Sequence, residues 1–518
     1  MSIAKTRSGH ISGLQMEVIT VEVDISNGLH SFSIVGLGDR SVAEAKDRIS
    51  AAIKNTGYVS PKQKNQKVVI SLAPADIRKE GTSFDLAMAL AYLKASGDID
   101  FEYEDILFLG ELTLEGGIRP VHGLLPLLIE AQKHGFTTAF IPQENSDEAR
   151  LAQNIIIYPA STLKAVLDHL SRTKKIDSVE PQTVLCSAVS VGLASNRDVL
   201  HLRDMAFIKG NETAKRALEI AIAGCHNIVL YGPPGTGKTM LAQSAVSIIP
   251  PLTYDQAIEV TSIYSLAKLL NKGLITEPPF RSPHHTSSVV SILGGGTIPH
   301  PGEITLAHRG ILFLDEFPEF EQRVIEGLRQ PLEDRVATVA RARGSATFPA
   351  QSILIASMNP CRCGRGRDNG CTCSLKSIQQ YQKKISGPIL DRIDIWIHVH
   401  KIDYEKLSLM QNESEKSVDI QQRIIAARKI QAGRFEALPE KNMKYFNSEM
   451  GAGDIEKYAL IALDVKDILT MTAEKMELSG RAFHSVIKVA RTIADLDKST
   501  HIQKKHVLEA IQYRQKMY

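Results

Sequence analysis

The sequence predicts a multidomain chain of mixed α/β and α+β class, and three observations predict it. Residues 200–400 alternate short apolar runs with helix-spaced segments, the pattern of a parallel sheet covered by helices. Inside that stretch, "NIVLYGPPGTGKTMLAQSAV" reads as an apolar strand, a glycine-rich loop and a helix in succession. After residue 400 the apolar spacing is almost entirely helical. With 518 residues the chain has room for roughly two to four domains and an ample core.

Composition is that of an ordinary globular protein, 43% apolar and 23% charged, with a net charge of +3. That balance is too mild to indicate a polyanion partner, so only local basic clusters can argue for one. No apolar run approaches the length of a membrane span, and the opening "MSIAKTRSGHISG" lacks the apolar centre of a signal peptide. The expected compartment is a reducing cytoplasm, where clustered cysteines favour metal or redox chemistry over structural disulfides.

Residues 1–170 mix strands and helices. "MEVITVEVDISNGLHSFSIVGL" alternates on both sides of Asn27-Gly28 and predicts a hairpin there. "VAEAKDRISAAIKNTG" predicts a helix stopped by glycine, "KVVISLAP" a strand, and "SFDLAMALAYLKASG" a second helix. Residues 171–199 turn polar and irregular, as in a linker. Residues 200–400 form the α/β domain and 401–518 a helical domain.

Gly232, Pro233, Pro234, Gly235, Thr236, Gly237, Lys238 and Thr239 match the G-x-x-x-x-G-K-[ST] pattern in full. Its glycines let backbone N–H groups wrap phosphates at a helix start, where the dipole favours anions. Lys238 then reaches the β- and γ-phosphates of ATP, and Thr239 ligates Mg²⁺. A P-loop needs a second acid for its metal, and "GILFLDEF" supplies one at a strand end. Asp315 supports Mg²⁺ through its water shell, and Glu316 polarises the attacking water.

The next strand, "SILIASMN", ends in Asn359, and this order of motifs resembles the AAA+ ATPases. The resemblance implies that Asn359 helps position the lytic water. It implies that Arg392, in "ISGPILDRIDIWIHV", is an arginine finger completing a neighbouring subunit's site. Arg481, in "LSGRAFHSVIKVARTIADL", matches the sensor-2 position at the start of a helix in the helical lid. A finger acting in trans implies a ring, a homo-hexamer above all. Two insertions narrow the branch. "FRSPHHTSSVVSILGGGTIPHPGEITLAHRG" resembles a helix-2 insert, and "RVATVARARGSATFPA" resembles a pre-sensor-1 hairpin. That branch includes magnesium chelatase, MoxR-type proteins and the MCM helicases.

"FIKGNETAKRALEIAIAGCHNIVLYGPPGTGKT", "FRSPHHT", "GILFLDEF", "PLEDR", "MNPCRCG", "ISGPILDRID" and "RAFHSVIKVARTIADL" together resemble the ComM family, also called the YifB or magnesium chelatase-like family, along essentially the whole chain. The family implies a hexameric, ATP-driven DNA helicase that promotes branch migration. Its DNA is single-stranded and branched, met with recombinase-pathway partners during natural transformation. Two positions depart from the family pattern: Asn211 stands where Gln is usual, and Arg362 where Pro is usual. A chelatase motor subunit or protein remodeller is the alternative; such subunits are expected to resemble only the ATPase part.

In the first domain, "KEGTSFDLAMALAYL", "FLGELTLEGGIRPVHGLLPLLIEAQKHG" and "TAFIPQENSDEA" resemble the proteolytic domain of Lon, implying a ribosomal-S5-domain-2-like fold. Ser83 falls at the Lon nucleophile, but the dyad lysine would fall at Leu125, which cannot act as a base. This domain is therefore expected to be catalytically inactive, with DNA binding or ring assembly as its role. Candidate polyanion contacts are Arg335, Arg341 and Arg343 on the hairpin, with Arg281, His284 and His285 on the insert. Adjacent histidines point apart, which argues against a shared metal.

Four of the six cysteines, Cys361, Cys363, Cys371 and Cys373, form C-x-C-x₇-C-x-C immediately after Asn359. Two close pairs suit tetrahedral Zn²⁺ with four thiolates, a redox pair and unbound thiols being the other readings. Such a clip would hold the strand carrying Asn359 in register with the Arg392 segment. Arg362, Arg365 and Arg367 make this loop basic, so phosphate contact is a second possible duty. Cys186 and Cys225 are isolated.

Overall fold

Strict alternation builds the first sheet. β1 (Ser2–Ser12), β2 (Gln15–Asn27), β3 (Ser31–Val35) and β4 (Gln66–Ala73) lie in the order β1-β2-β4-β3. This computed structural model describes residues 2–76, 79, 81–182, 204–270, 273–296, 299–341, 344–365, 370–401, 415–436, 444–461 and 463–514. Most of the expected linker lies outside them, as do Cys186, Arg343 and Arg367.

The expected hairpin at Asn27-Gly28 does not form. β2 pairs antiparallel with β4, from Thr20 opposite Ala73 to Asn27 opposite Gln66, and β3 pairs parallel with the far edge of β4. β4 buries Val68, Ile70 and Leu72 completely, whereas β3 is half-exposed along its length. The strand with the stronger apolar face takes the inner place. The tight turn lies earlier, between β1 and β2, where Gly13 adopts φ +65°. Helix Arg40–Asn55 starts at Asp39, whose side chain accepts the Val42 N–H at 2.9 Å. Helix Asp85–Ala95 is buried nearly all round. Beyond it, β5 (Ile106–Phe108), β8 (Thr138–Pro142) and β9 (Ile156–Ala160) form a parallel sheet, and β6 (Glu111–Leu112) with β7 (Ile118–Arg119) an antiparallel ribbon.

The chain divides into two compact units: Met1–Leu185 together with Ala257–Ile275, and Cys186–Gln256 together with Thr276–Tyr518. The second is organised by a five-stranded parallel sheet. β10 (Ile228–Tyr231), β11 (Phe280–Arg281), β14 (Ile311–Leu314), β17 (Ile353–Met358) and β18 (Ile395–His398) stand in the order β11-β14-β17-β10-β18. Successive residues point to opposite faces, and both faces are apolar. Ile228, Leu230, Phe313, Ile355 and Ile395 belong to one cluster. Val229, Leu312, Leu314, Leu354 and Trp396 belong to the other. β12 (Gly294–Gly295) and β13 (His300–Pro301) form a ribbon in the insert. β15 (Val336–Arg341) and β16 (Gly344–Pro349) pair antiparallel as a hairpin, with Arg341 opposite Gly344.

Helices Ser417–Phe435, Ala452–Tyr458, Leu463–Lys475, Gly480–Leu496 and Lys504–Gln512 follow. Ile420, Ile424, Val486 and Ile493 share an apolar cluster with Ile228 and Phe313 of the sheet. One buried acid ties these helices together. Asp495 is 1% exposed and accepts from Arg434 at 2.5 and 2.9 Å, from Arg491 Nε at 3.1 Å and from Asn447 Nδ2 at 2.8 Å. Asp495→Ala leaves two arginines without their anion, so it should cost about 3–5 kcal/mol, measured as a loss of chemical-denaturation midpoint. Among the described residues, no helix is long and apolar enough to cross a membrane.

Candidate active site

Parallel register lines up the C-terminal ends of the central strands. Tyr231, the last residue of β10, lies opposite Met358 of β17 and His398 of β18, and Leu314 of β14 lies opposite Ala356. The residues that follow β10, β14 and β17 therefore emerge along one edge. They are Gly232–Thr239, Asp315-Glu316 and Asn359. In open parallel sheets this edge is where ligands bind, because the departing loops leave a crevice there.

At Gly232 the backbone passes so close to β18 that a Cβ would lie 2.3 Å from the Val399 carbonyl oxygen. Gly235 and Gly237 adopt φ +74° and +86°, with nothing within 4 Å of where a Cβ would stand. The loop thus keeps its curved backbone and an open face. Thr236 Oγ1 donates to the Pro233 carbonyl at 3.0 Å and closes it.

Lys238 is 9% exposed and donates to the carbonyls of Gly232 and Pro233, each at 2.8 Å, and to Asn359 Oδ1 at 3.2 Å. These acceptors are all neutral. Burial pulls the ammonium below its ordinary pKa, and the nearby Asp315 carboxylate opposes that. A half-desolvated cation held only by neutral oxygens is a site for an anion. Thr239 Oγ1 lies 3.0 Å from Asp315 Oδ2, so a hydroxyl and a carboxylate oxygen face each other in the manner a hard divalent cation requires. The residues present fit ATP with Mg²⁺.

Asp315 is fixed from below: Ser357 Oγ hydrogen-bonds its Oδ1, which also accepts the Glu316 N–H at 3.0 Å. Glu316 itself adopts φ +54°, an uncommon conformation for a non-glycine residue. His285 Nδ1 lies 3.4 Å from Glu316 Oε2, and the His284 ring packs on His285 with centroids 4.2 Å apart.

The two flanking arginines meet on one acid. Arg392 and Arg481 each hydrogen-bond the Glu333 carboxylate of "PLEDR", and Arg392 also donates to the Pro388 carbonyl at 2.6 Å. Asn227, just before β10, holds the Arg392 carbonyl at 3.0 Å and the Leu354 N–H at 3.1 Å. Ser357, Glu333 and the His285 contact were missed in the sequence. Only the position of Ser357, inside the strand that leads into Asn359, carries a local signal.

Two of the candidate polyanion contacts have partners within the chain. Arg335 ends helix Arg329–Asp334 at φ +59° and turns into the fold, donating to Ser352 O at 3.1 Å, Cys225 O at 3.3 Å and Ser448 Oγ at 3.4 Å. Arg281 makes a bidentate pair with Glu303, at 2.6 and 2.8 Å, so its charge is neutralised within the insert. In the first unit, Ser83 is half-buried, and Leu125 is fully buried in helix Leu124–Lys133.

The four cysteines converge. Their Sγ atoms all lie within 4.8 Å of one another. The Cys363 thiol is pushed down to about 6 by the Arg365 backbone N–H and by Cys361.

Comparison with known proteins agrees with this geometry. The family described as magnesium chelatase, subunit ChlI, matches residues 204–407, and its C-terminal family matches residues 414–514. A further family, subunit ChlI of Mg-chelatase, matches residues 21–145, so the chelatase likeness is not confined to the ATPase part as expected. The competence protein ComM of Haemophilus influenzae is 39% identical over 521 residues, covering 99% of this chain and 98% of that protein. The uncharacterised protein YifB of Escherichia coli is 38% identical over 520 residues, covering 99% and 97%. More distantly, the DNA replication licensing factor Mcm6 of Drosophila melanogaster is 23% identical over 325 residues, covering 58% of this chain and 36% of that protein. Full-length identity at this level, with matching AAA+ family segments, shows that the chain belongs to the ComM/YifB family of magnesium chelatase-like proteins.

Proposed function

We propose that the protein is a ring-forming ATPase, a homo-hexamer, that couples ATP hydrolysis to movement along single-stranded and branched DNA. Its place is recombination, including branch migration of incoming DNA in natural transformation. The observation that carries the ATPase reading is the pairing of Lys238 with Asn359 and of Thr239 with Asp315 along one sheet edge. The DNA reading is supported by the names of two relatives, a competence protein and a DNA replication licensing factor. The hairpin β15–β16 adds a basic residue, Arg341, at its last described pair.

In this mechanism Lys238 exchanges its neutral acceptors for phosphate oxygens, and the backbone of Gly232–Thr239 wraps the rest. Thr239 and Asp315 would hold Mg²⁺, which would neutralise phosphate charge. Glu316 accepts the proton of the attacking water, and Asn359 orients that water. Arg392, with Arg481 beside it, reaches the site of the neighbouring subunit and stabilises charge that develops there.

The test is the ATPase rate of the confirmed hexamer with and without single-stranded DNA, together with displacement of a forked duplex. DNA should stimulate hydrolysis and the fork should open. A hexamer that does neither rejects the DNA motor. It would favour the second reading, a chelatase-type remodeller, which the family descriptions support.

A further inference from the structure

The cysteine loop leaves the sheet beside the phosphate loop and stays in contact with it. Cys361 Sγ lies 3.3 Å from Cys363 Sγ and 3.5 Å from Cys371 Sγ, and Cys363 and Cys371 are 3.5 Å apart. Four thiolates at about 2.3 Å from one Zn²⁺ have tetrahedral edges of about 3.8 Å, close to this spacing. The backbone supports the sulfurs as well: the Cys373 N–H donates to Cys371 Sγ at 3.4 Å. Soft thiolates in a tetrahedral set select zinc over the oxygen-seeking Mg²⁺ of the neighbouring site.

The loop is attached to the nucleotide site at both ends. At its start, Gly364 adopts φ +82°, and its N–H donates to the Cys361 carbonyl at 2.9 Å. A Cβ on Gly364 would stand 3.0 Å from Cδ and 3.2 Å from Cγ of Pro234. The bare backbone of the cysteine loop thus lies on the proline of the phosphate loop. Cys361, 1% exposed, is packed next to that contact. At the far end, helix Leu375–Gln382 brings Tyr381 back, where its hydroxyl hydrogen-bonds the backbone of Asn359. Asn359 in turn holds Lys238 at 3.2 Å.

We propose that Cys361, Cys363, Cys371 and Cys373 bind one Zn²⁺, and that the loaded clip is a wall of the nucleotide pocket, pressing Gly364 onto Pro234. Zinc then sets the affinity for ATP. Without it the two cysteine pairs lose the ion that would bind them together, and both Pro234 and the Asn359–Lys238 contact lose their backing. The inference rests on the reading of Gly232–Thr239 as the phosphate loop and is independent of DNA.

The experiment uses the full chain. Elemental analysis should find one zinc per chain. Removing it with a mercurial and chelator should weaken binding of a fluorescent ATP analogue by about tenfold or more, and added Zn²⁺ should restore it. Cys363→Ser should lower both zinc content and affinity. Gly364→Val should keep its zinc yet weaken binding, since a side chain at this φ is strained and collides with Pro234. Under half a zinc per chain in well-folded protein refutes the metal. Unchanged affinity after stripping, or in Gly364→Val, refutes the wall. Lys238→Ala separates this failure from that of the phosphate loop itself: if it binds the analogue normally, the nucleotide site is misplaced, whatever the zinc does.

Discussion

An Arg392→Ala protein should still bind ATP and assemble, yet hydrolyse ATP about 10³–10⁵-fold more slowly. The reason is the mount of the side chain. Its carbonyl is fixed by Asn227 at 3.0 Å, and its guanidinium is held between the Pro388 carbonyl and Glu333. Arg481 meets the same carboxylate from a helix of the C-terminal segment. Glu333 therefore presents two cations as a pair, and a paired presentation lowers the cost of ordering each when charge builds on a transferring phosphoryl group. A mixing experiment tests whether the arginine works across a subunit boundary. Arg392→Ala subunits have intact phosphate loops, and Lys238→Ala subunits have intact arginines. Mixed rings should regain hydrolysis that neither protein shows alone. An unchanged rate in Arg392→Ala would end the finger assignment, and a mixture with no recovery would place its action within one subunit.

Glu316→Gln should bind ATP with near-normal affinity and lose about 10²–10⁴ in the single-turnover rate. The substitution keeps shape and hydrogen bonding but removes the base. The left-handed backbone at Glu316, φ +54°, is held by its N–H bonds to Asp315 Oδ1 at 3.0 Å and Ser357 Oγ at 3.4 Å, none of which the variant touches. Strained backbone maintained in this way is common where a side chain must be aimed. Normal turnover by Glu316→Gln would show that another group takes the proton.

The phosphate loop was readable because its chemistry demands contiguous residues of fixed type, followed by a helix. Asp315 and Asn359 were readable because each is the first polar group after a fully buried, largely apolar strand. Contacts between distant residues left no local mark. Glu333 and Arg481 are 148 positions apart, and nothing in "PLEDR" says which cations it will gather. Arg335 is a further case: its charge suggests a surface role, and nothing local announces the Ser352 and Cys225 carbonyls it donates to. The same limit applies to the first sheet, where Asn27-Gly28 had good turn chemistry but β4 competed for the edge of β2 more effectively.

The assignment of Ala257–Ile275 to the first unit has a consequence for dissecting this chain. The polypeptide passes from one unit to the other near residue 185, again near 256 and once more near 275, so three covalent connections join them. Ile258 and Leu274 pack with Leu124, Leu128 and Ile141, and Ser265 hydrogen-bonds Glu148. Deleting the first 185 residues would strip these side chains of their partners and leave an apolar segment hanging from the ATPase, between its two phosphate motifs. A truncation at the linker therefore does not yield a clean ATPase domain. Any defect it shows would report an orphaned insertion as much as a missing function.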